Sequence, residues 1–313
     1  MLEVIYYQPE YRDVWDTFVA QVPGGTFLFD RNFMEYHSDR FCDASLMIYR
    51  KGELFCCIPA SIDGNKWTSH AGLTFGGLVF AQDVSSEMMQ EIIISIQHIL
   101  FNNNCRQINF KLPIAPYHPQ ISTIIQGLEN SHFVPTGTFT NVTVSVDRPV
   151  AANSKKTAGY RNGKFDGLQI KRKTNFEAFW NQLLIPQLAS KHQTKPVHNL
   201  AEIQLLAQRF PNNIIQHNVY YENLLVAGVT YFLFKGIAKS QYAACNDLGR
   251  KNRAMDFVYL ESMRFFKDFG YAYLDLGTVN KDDGRIDEGL YKFKTELGGK
   301  AFNQMTYALE LPQ

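Results

Sequence analysis

The same order of elements runs twice along this chain, with corresponding positions about 165 to 170 residues apart, which is what tandem duplication of one structural unit leaves behind. In the first half, hydrophobic periodicity and turn residues predict helices over residues 14–21 and 31–38, a hairpin over 45–62 and a Gly-rich strand over 72–80. A long helix over 85–102 follows, then a strand at 107–111, a helix near 120–128, and a strand over 138–146 in which Val142, Val144 and Val146 alternate with polar residues. The second half predicts paired strands within 214–234, a strand over 237–245, and a helix over 255–269 with Phe257, Leu260, Met263 and Phe266 on one face. A strand over 271–276, a helix over 290–294 and a strand over 302–309 close it. The expected fold class is α/β of the α+β type, with domains at 1–150 and 151–313.

The stretch from Tyr271 to Gly299 carries the strongest local signal. Residues 271–276 are aromatic and aliphatic, too short for a helix, and stop at Gly277, which reads as an interior strand. Leu290, Phe293 and Leu297 recur at helical spacing and predict an inward apolar face, with Lys292 and Lys294 leaving in other directions. Ligands of open α/β sheets sit beyond the carboxyl ends of strands, so Asp275 falls near any chemistry. A capped strand followed by a solvated basic helix accounts for the same residues.

The run Gly289-Leu290-Tyr291-Lys292-Phe293-Lys294, with Leu297-Gly298-Gly299 after it, resembles the closing motif of the Fem-like branch of the GNAT N-acyltransferases, with Leu297 where that branch often has Phe. Asp275-Leu276-Gly277 and the helix opening at Asn252, after a strand ending near Asn246, resemble the same branch. The resemblance covers most of the chain in order of elements. It implies two tandem GNAT-like domains, each a mixed, mostly antiparallel sheet flanked by helices, with the donor site in the second domain behind a basic linker helix. It also implies acyl-CoA, such as acetyl-CoA, as co-substrate and no metal.

Three tasks then need residues. For the donor, the strand with Tyr242, Ala244 and Cys245 offers backbone groups to a pantetheine arm. The turn Asn246, Gly249, Arg250, Asn252, Arg253 and Ala254 offers N–H groups and positive charge to phosphates at a helix start. This turn has one glycine where ordinary GNAT enzymes have more, and a purely structural loop fits it as well. For proton handling the candidates are Asp275, Glu288 and His70, since a carboxylate serves as base only when its environment raises its pKa. Lys294, which corresponds to the lysine of the family's Phe-Lys motif, is the candidate cation for a developing oxyanion. For the acceptor, Tyr36, His70 and Phe75 on one side and Arg161, Lys164 and Lys292 on the other are the candidates. Cys245 as an acyl-carrying nucleophile lacks a histidine partner in the sequence.

Composition bounds these readings. Of 313 residues, 45% are hydrophobic and 14% aromatic, enough for two packed cores. The longest apolar run, 224–234, falls short of the roughly 18 to 20 residues of a membrane span. The start of the chain lacks the basic and apolar pattern of a secretory signal, which predicts a cytoplasmic protein. Five cysteines form no CxxC pair and eight histidines no HExxH spacing, so neither a disulfide framework nor a metal site is expected. The net charge of +1 conceals an asymmetry: residues 1–150 carry 9 Lys and Arg against 15 Asp and Glu, and residues 151–313 carry 22 against 15. Much of the excess lies in 150–174, where Lys155, Lys156, Arg161, Lys164, Lys171, Arg172 and Lys173 accompany only Asp166, either as a solvated linker or as a phosphate-binding helix.

The resemblance and the charge together predict acyl transfer from acyl-CoA to an amine on a small anionic acceptor such as an amino-sugar nucleotide, by a monomer or homodimer. Duplex nucleic acid calls for a more continuous basic surface. Aminoacyl-tRNA-dependent peptidyl transfer, the Fem activity itself, is disfavoured because residues 175–210 hold two ordinary helical stretches and no long helical arm. A non-catalytic ligand-binding protein on the same fold is the third reading.

Overall fold

The computed structural model describes residues 2–149, 151–172 and 176–312; Val150, Lys173 and Thr174 of the basic stretch lie outside the described residues. In chain order the first elements are β1 (Leu2–Tyr6), α1 (Arg12–Gln21), α2 (Arg31–Met34), β2 (Cys42–Asp43), β3 (Leu46–Arg50), β4 (Glu53–Ile58), β5 (Ser61–Asp63), β6 (Lys66–Thr68), β7 (Val79–Phe80), α3 (Ser86–Asn102), β8 (Gln107–Lys111), α4 (Ile121–Asn130) and β9 (Val134–Ser145). Then come α5 (Ser154–Arg161), β10 (Leu168–Arg172), α6 (Phe176–Phe179), α7 (Ile185–His192), α8 (Leu200–Arg209), β11 (Ile214–Tyr221), β12 (Leu224–Phe234), β13 (Ile237–Cys245), α9 (Asp247–Lys251), α10 (Ala254–Asp268), β14 (Tyr273–Thr278), α11 (Glu288–Glu296) and β15 (Lys300–Glu310). A π-helical turn, Trp180–Leu184, joins α6 to α7.

The chain forms two compact units, Met1–Phe139 with Asn303–Gln313, and Thr140–Phe302. The units therefore differ from the halves drawn at 150/151, and the strands explain why. The last strand of each half leaves it: β9 runs on to pair antiparallel with β14 in the second unit, and β15 pairs antiparallel with β8 in the first. Local periodicity announces a strand but says nothing about which sheet accepts it.

In the first unit, β1, β3, β4 and β7 form an antiparallel sheet, and β8 joins β6, β5 and β2, with β6 and β8 parallel. Ile92, Ile93, Ile96 and Leu100 of α3 pack with Trp67, Ile108 and Phe110 in one apolar cluster. Ser85 starts α3 by accepting the Met88 N–H at 3.3 Å. The Gly-rich strand expected over 72–80 shrinks to β7. Residues before it form a loop packed so closely on Ser69 that a Cβ on Gly76 would lie 2.0 Å from the Ser69 carbonyl oxygen. Helix 31–38 is likewise divided into α2 and a 3-10 turn, Glu35–His37. β1 was not foreseen.

In the second unit, β10, β11, β12 and β13 are antiparallel neighbours, β14 runs parallel to β13, and β9 pairs antiparallel with β14. Helix α10 buries Val258, Met263 and Phe266 against Val229, Tyr231 and Leu274. The predominance of antiparallel pairs with one parallel pair in each unit matches the expected fold class. Truncation after Phe302 removes the partner of β8 and the buried Tyr307. It should abolish the cooperative melting of the first unit in calorimetry while the second unit still melts.

Candidate active site

Two parallel strands part in the second unit. β13 and β14 pair from Ile237↔Tyr273 to Lys239↔Asp275; beyond that, β13 runs on to Cys245 without pairing to β14. Each strand is irregular where they separate. The β12–β13 register slips between Thr230 and Tyr231, leaving Gln241 unmatched, and the β14–β9 register slips between Asp275 and Thr278. Bulges of this kind bend a strand and end its pairing. Gly277 sits within the second bulge at φ +80, a conformation that L side chains rarely adopt.

Three ionisable side chains gather there. Asp275 and Lys239 are register partners, so their side chains share a face, and Lys239 Nζ lies 3.2 Å from Asp275 Oδ2. The other carboxylate oxygen accepts the Gly277 N–H at 2.7 Å. Lys294 reaches in from α11 and donates to the carbonyls of Gly277 at 2.9 Å and Thr278 at 2.7 Å. Asp275 and Lys294 are 1% and 6% exposed. Burial pulls the Lys294 ammonium down from its ordinary 10.5 to about 7, with Asp275 opposing the shift and Lys239 adding to it. Next to them, Ser240 Oγ and Tyr259 Oη are 2.9 Å apart, and burial pushes the Tyr259 phenol up to about 12.

Helix α11 is turned differently from the expected pattern. Leu290 is 38% exposed, whereas Lys294 faces inward with Leu297. The two carbonyls freed by the β14 bulge receive the ammonium, so a position that hydrophobic spacing assigned to solvent is buried. Asp287 starts this helix by accepting the Leu290 N–H at 2.9 Å, and Glu288 and Lys292 are exposed on it. Lys239 and Tyr259 were missed by sequence reasoning. A lysine inside the apolar run Ile237-Ala238-Lys239 was the available signal.

The expected donor turn is largely occupied by its own groups. Asn246 Oδ1 accepts the Gly249 N–H at 2.8 Å, and the N–H groups of Arg250, Asn252 and Arg253 donate to carbonyls of Asn246, Leu248 and Arg250. Arg250 pairs with Asp247 and donates to the Cys245 carbonyl; Arg253 binds Asp256 and the Lys155 carbonyl. Gly249 is required by packing, because a Cβ there would lie 2.2 Å from the Val226 carbonyl oxygen. Gly249→Ala should therefore destabilise the protein by about 1 to 3 kcal/mol in denaturant melts, whatever the ligand present. Ala254 is buried at the start of α10, and Asn252 donates to the Leu248 carbonyl.

On the parted strand, Tyr242 Oη meets His198 Nδ1 at 2.5 Å and its ring packs edge-on against Trp180. Ala244 is buried; the half-buried Cys245 donates its N–H to Gln187 Oε1. Arg161 ends α5 exposed to solvent and Lys164 is half-buried in the turn after it. Of the basic stretch, Lys156 is structural: its ammonium lies 3.0 Å from Asp256, 3.5 Å from Glu296 and over the Phe293 ring. The three acceptor candidates of the first unit all take part in aromatic contacts. Tyr36 stacks on His37, His37 stacks on His70, and Phe75 packs against Phe29 and Tyr117. Burial holds His70 down at about 3, with His37 adding to the shift, so it is neutral at pH 7.

No protein-family model matches the sequence, and a search of curated proteins finds no match. Solved structures do match. The fold is similar to that of FemX, with a TM-score of 0.71 at 11% identity, covering 99% of this chain and 97% of that one. It is similar to L-PGS from Bacillus licheniformis, with a TM-score of 0.60 at 11% identity, covering 96% and 91%. A tandem GNAT protein from the clavulanic acid biosynthesis pathway aligns over the full length of both chains, with a TM-score of 0.54 at 9% identity. These likenesses show the fold, one similar to those of FemX and the tandem GNAT protein, as the sequence resemblance implied.

Proposed function

We propose that this chain is an N-acyltransferase that moves an acyl group from acyl-CoA to the amine of a small anionic acceptor such as an amino-sugar nucleotide. The observation that carries the reading is the parting of β13 from β14 beside the buried ammonium of Lys294. Where β13 no longer pairs with β14, its backbone can offer hydrogen bonds to an extended pantetheine arm, apart from the Cys245 N–H that Gln187 Oε1 accepts. The amine nitrogen attacks the thioester carbonyl carbon, the C–S bond breaks, the amine gives up a proton and the CoA thiolate takes one. Lys294, in its charged form, stabilises the negative oxygen of the tetrahedral intermediate in a site from which water is excluded. Asp275 is better suited to positioning than to taking the proton, because its oxygens are engaged by Lys239 and the Gly277 N–H.

The occupied donor turn supports a second reading, transfer from aminoacyl-tRNA, in which the phosphates need not lie against residues 246–254. Isothermal titration separates the two. Acetyl-CoA and CoA should bind with micromolar dissociation constants; absence of binding to either at millimolar concentration would sink the CoA assignment. Loss of activity on adding ribonuclease to a cell-extract assay would establish the tRNA-dependent alternative.

A further inference from the structure

We infer that the first unit holds a binding site of its own, for a sugar or polyol that carries a phosphate or carboxylate. A cleft of about 760 Å³ opens on the face of its second sheet, a volume typical of small-molecule sites. Strand alternation makes this face polar. On β8, Ile108 and Phe110 point to the core while Asn109 and Lys111 point to the cleft; on β6, Trp67 is buried between Lys66 and Thr68. The register places Ser61 opposite Thr68, Asp63 opposite Lys66, and Thr306 opposite Lys111, so all these side chains share one surface.

A polar sheet face needs no ligand when it is simply solvated. This one is walled. The Phe41 and Phe139 rings and the Arg40 side chain border it, and its mouth stays open to solvent. Thr136 Oγ1 donates to Thr306 Oγ1 at 3.1 Å, and Asn109 spends its Nδ2 on the Trp67 carbonyl at 3.3 Å, which leaves its amide oxygen as an acceptor for a hydroxyl. The cleft thus combines hydroxyl and amide groups for a polyol, aromatic rings for the apolar face of a sugar ring, and the cations Arg40, Lys66 and Lys111 beside the carboxylate of Asp63, with Arg40 also 3.8 Å from Asp39 and Lys111 donating to the Leu73 carbonyl at 3.3 Å. Neither a neutral sugar nor a bare anion uses all three features.

The site stands independently of the acyl-transfer reading, because its test requires no donor. Cys42 lines the cleft and is an exposed free thiol, which provides a reporter. Alkylation of Cys42 by a maleimide, followed by peptide mass mapping on the full chain, should slow about tenfold when glucose 6-phosphate or glucuronate is present at ten times its dissociation constant. The two probes distinguish a phosphate from a carboxylate ligand. Lys66→Ala, an exposed position, should weaken that protection at least threefold when measured against the variant's own unliganded alkylation rate. Equal protection by inorganic phosphate or by glucose would overturn the proposal, as would absence of protection by every probe at millimolar concentration.

Discussion

The Lys294→Met variant is expected to lose about a hundredfold to a thousandfold in kcat, the scale of removing one oxyanion-stabilising donor, while its melting temperature changes little. The combination is diagnostic. A residue that only holds α11 in place would leave the rate nearly unchanged when removed, whereas loss of the Lys294 ammonium relieves the cost of burying a charge, leaves the Gly277 and Thr278 carbonyls without that donor, and so sets two opposing stability terms beside a large rate loss. The pH dependence follows with a definite sign. Burial lowers the folded-state pKa of Lys294 from 10.5 to about 7, so the cost of burying an ammonium is fully present below about 7 and fades as pH rises toward 10.5. The wild type should therefore gain stability relative to Lys294→Met across that window. Thermal melts of both proteins in matched buffers, together with initial rates of acyl transfer, measure all three effects.

The second large effect is at Asp275. Asp275→Asn leaves Lys239 buried without its anionic partner and should cost about 3 to 5 kcal/mol, the range for breaking one side of a buried ion pair. The double variant Lys239→Met with Asp275→Leu should recover most of that loss, since no charge is left unpaired. Denaturant melts of Lys239→Met, Asp275→Leu and the double variant close a thermodynamic cycle. A double variant no more stable than Asp275→Asn would show that the pair is not what holds this region. Asp275 also opposes the downward shift of the Lys294 pKa. In any Asp275→Asn protein that retains activity, the inflection due to Lys294 should therefore move to lower pH.

Much of the fold is legible in the sequence because the elements are locally consistent. The strands at 107–111 and 237–245 and the helix at 85–102 follow from periodicity and the Ser85 cap, and the structure has β8, β13 and α3 there. What periodicity leaves open is which sheet a strand joins. The exchange of β9 and β15 is a non-local choice, invisible to any window of residues, and it moved the unit boundary from 150/151 to 139/140. The Gly72 to Leu78 segment was misread for a related reason. Its apolar residues are buried like those of a strand, but Gly76 is there to let the backbone approach Ser69.

The candidate site was legible in its parts and not in its geometry. Asp275 and Lys294 stand out in the Fem-like motif, but the bulge that frees the Gly277 and Thr278 carbonyls draws Lys294 inward against the helical pattern. Lys239 enters through strand register alone. The donor turn shows the opposite case. Arg250 and Arg253 resemble phosphate ligands in a list of residues, yet each is engaged by Asp247, Asp256 and nearby carbonyls. Charge in a sequence predicts a site only when the neighbouring acids are elsewhere.

The most direct test of the account is the pH profile of kcat/KM for acyl transfer by wild type and by Lys294→Arg, a variant that retains a positive charge at all accessible pH values. The account predicts a rate that falls as pH rises through about 7 in the wild type, and a falling limb that is absent in Lys294→Arg. The same falling limb in both proteins would contradict it, because the titrating group would then be one other than Lys294.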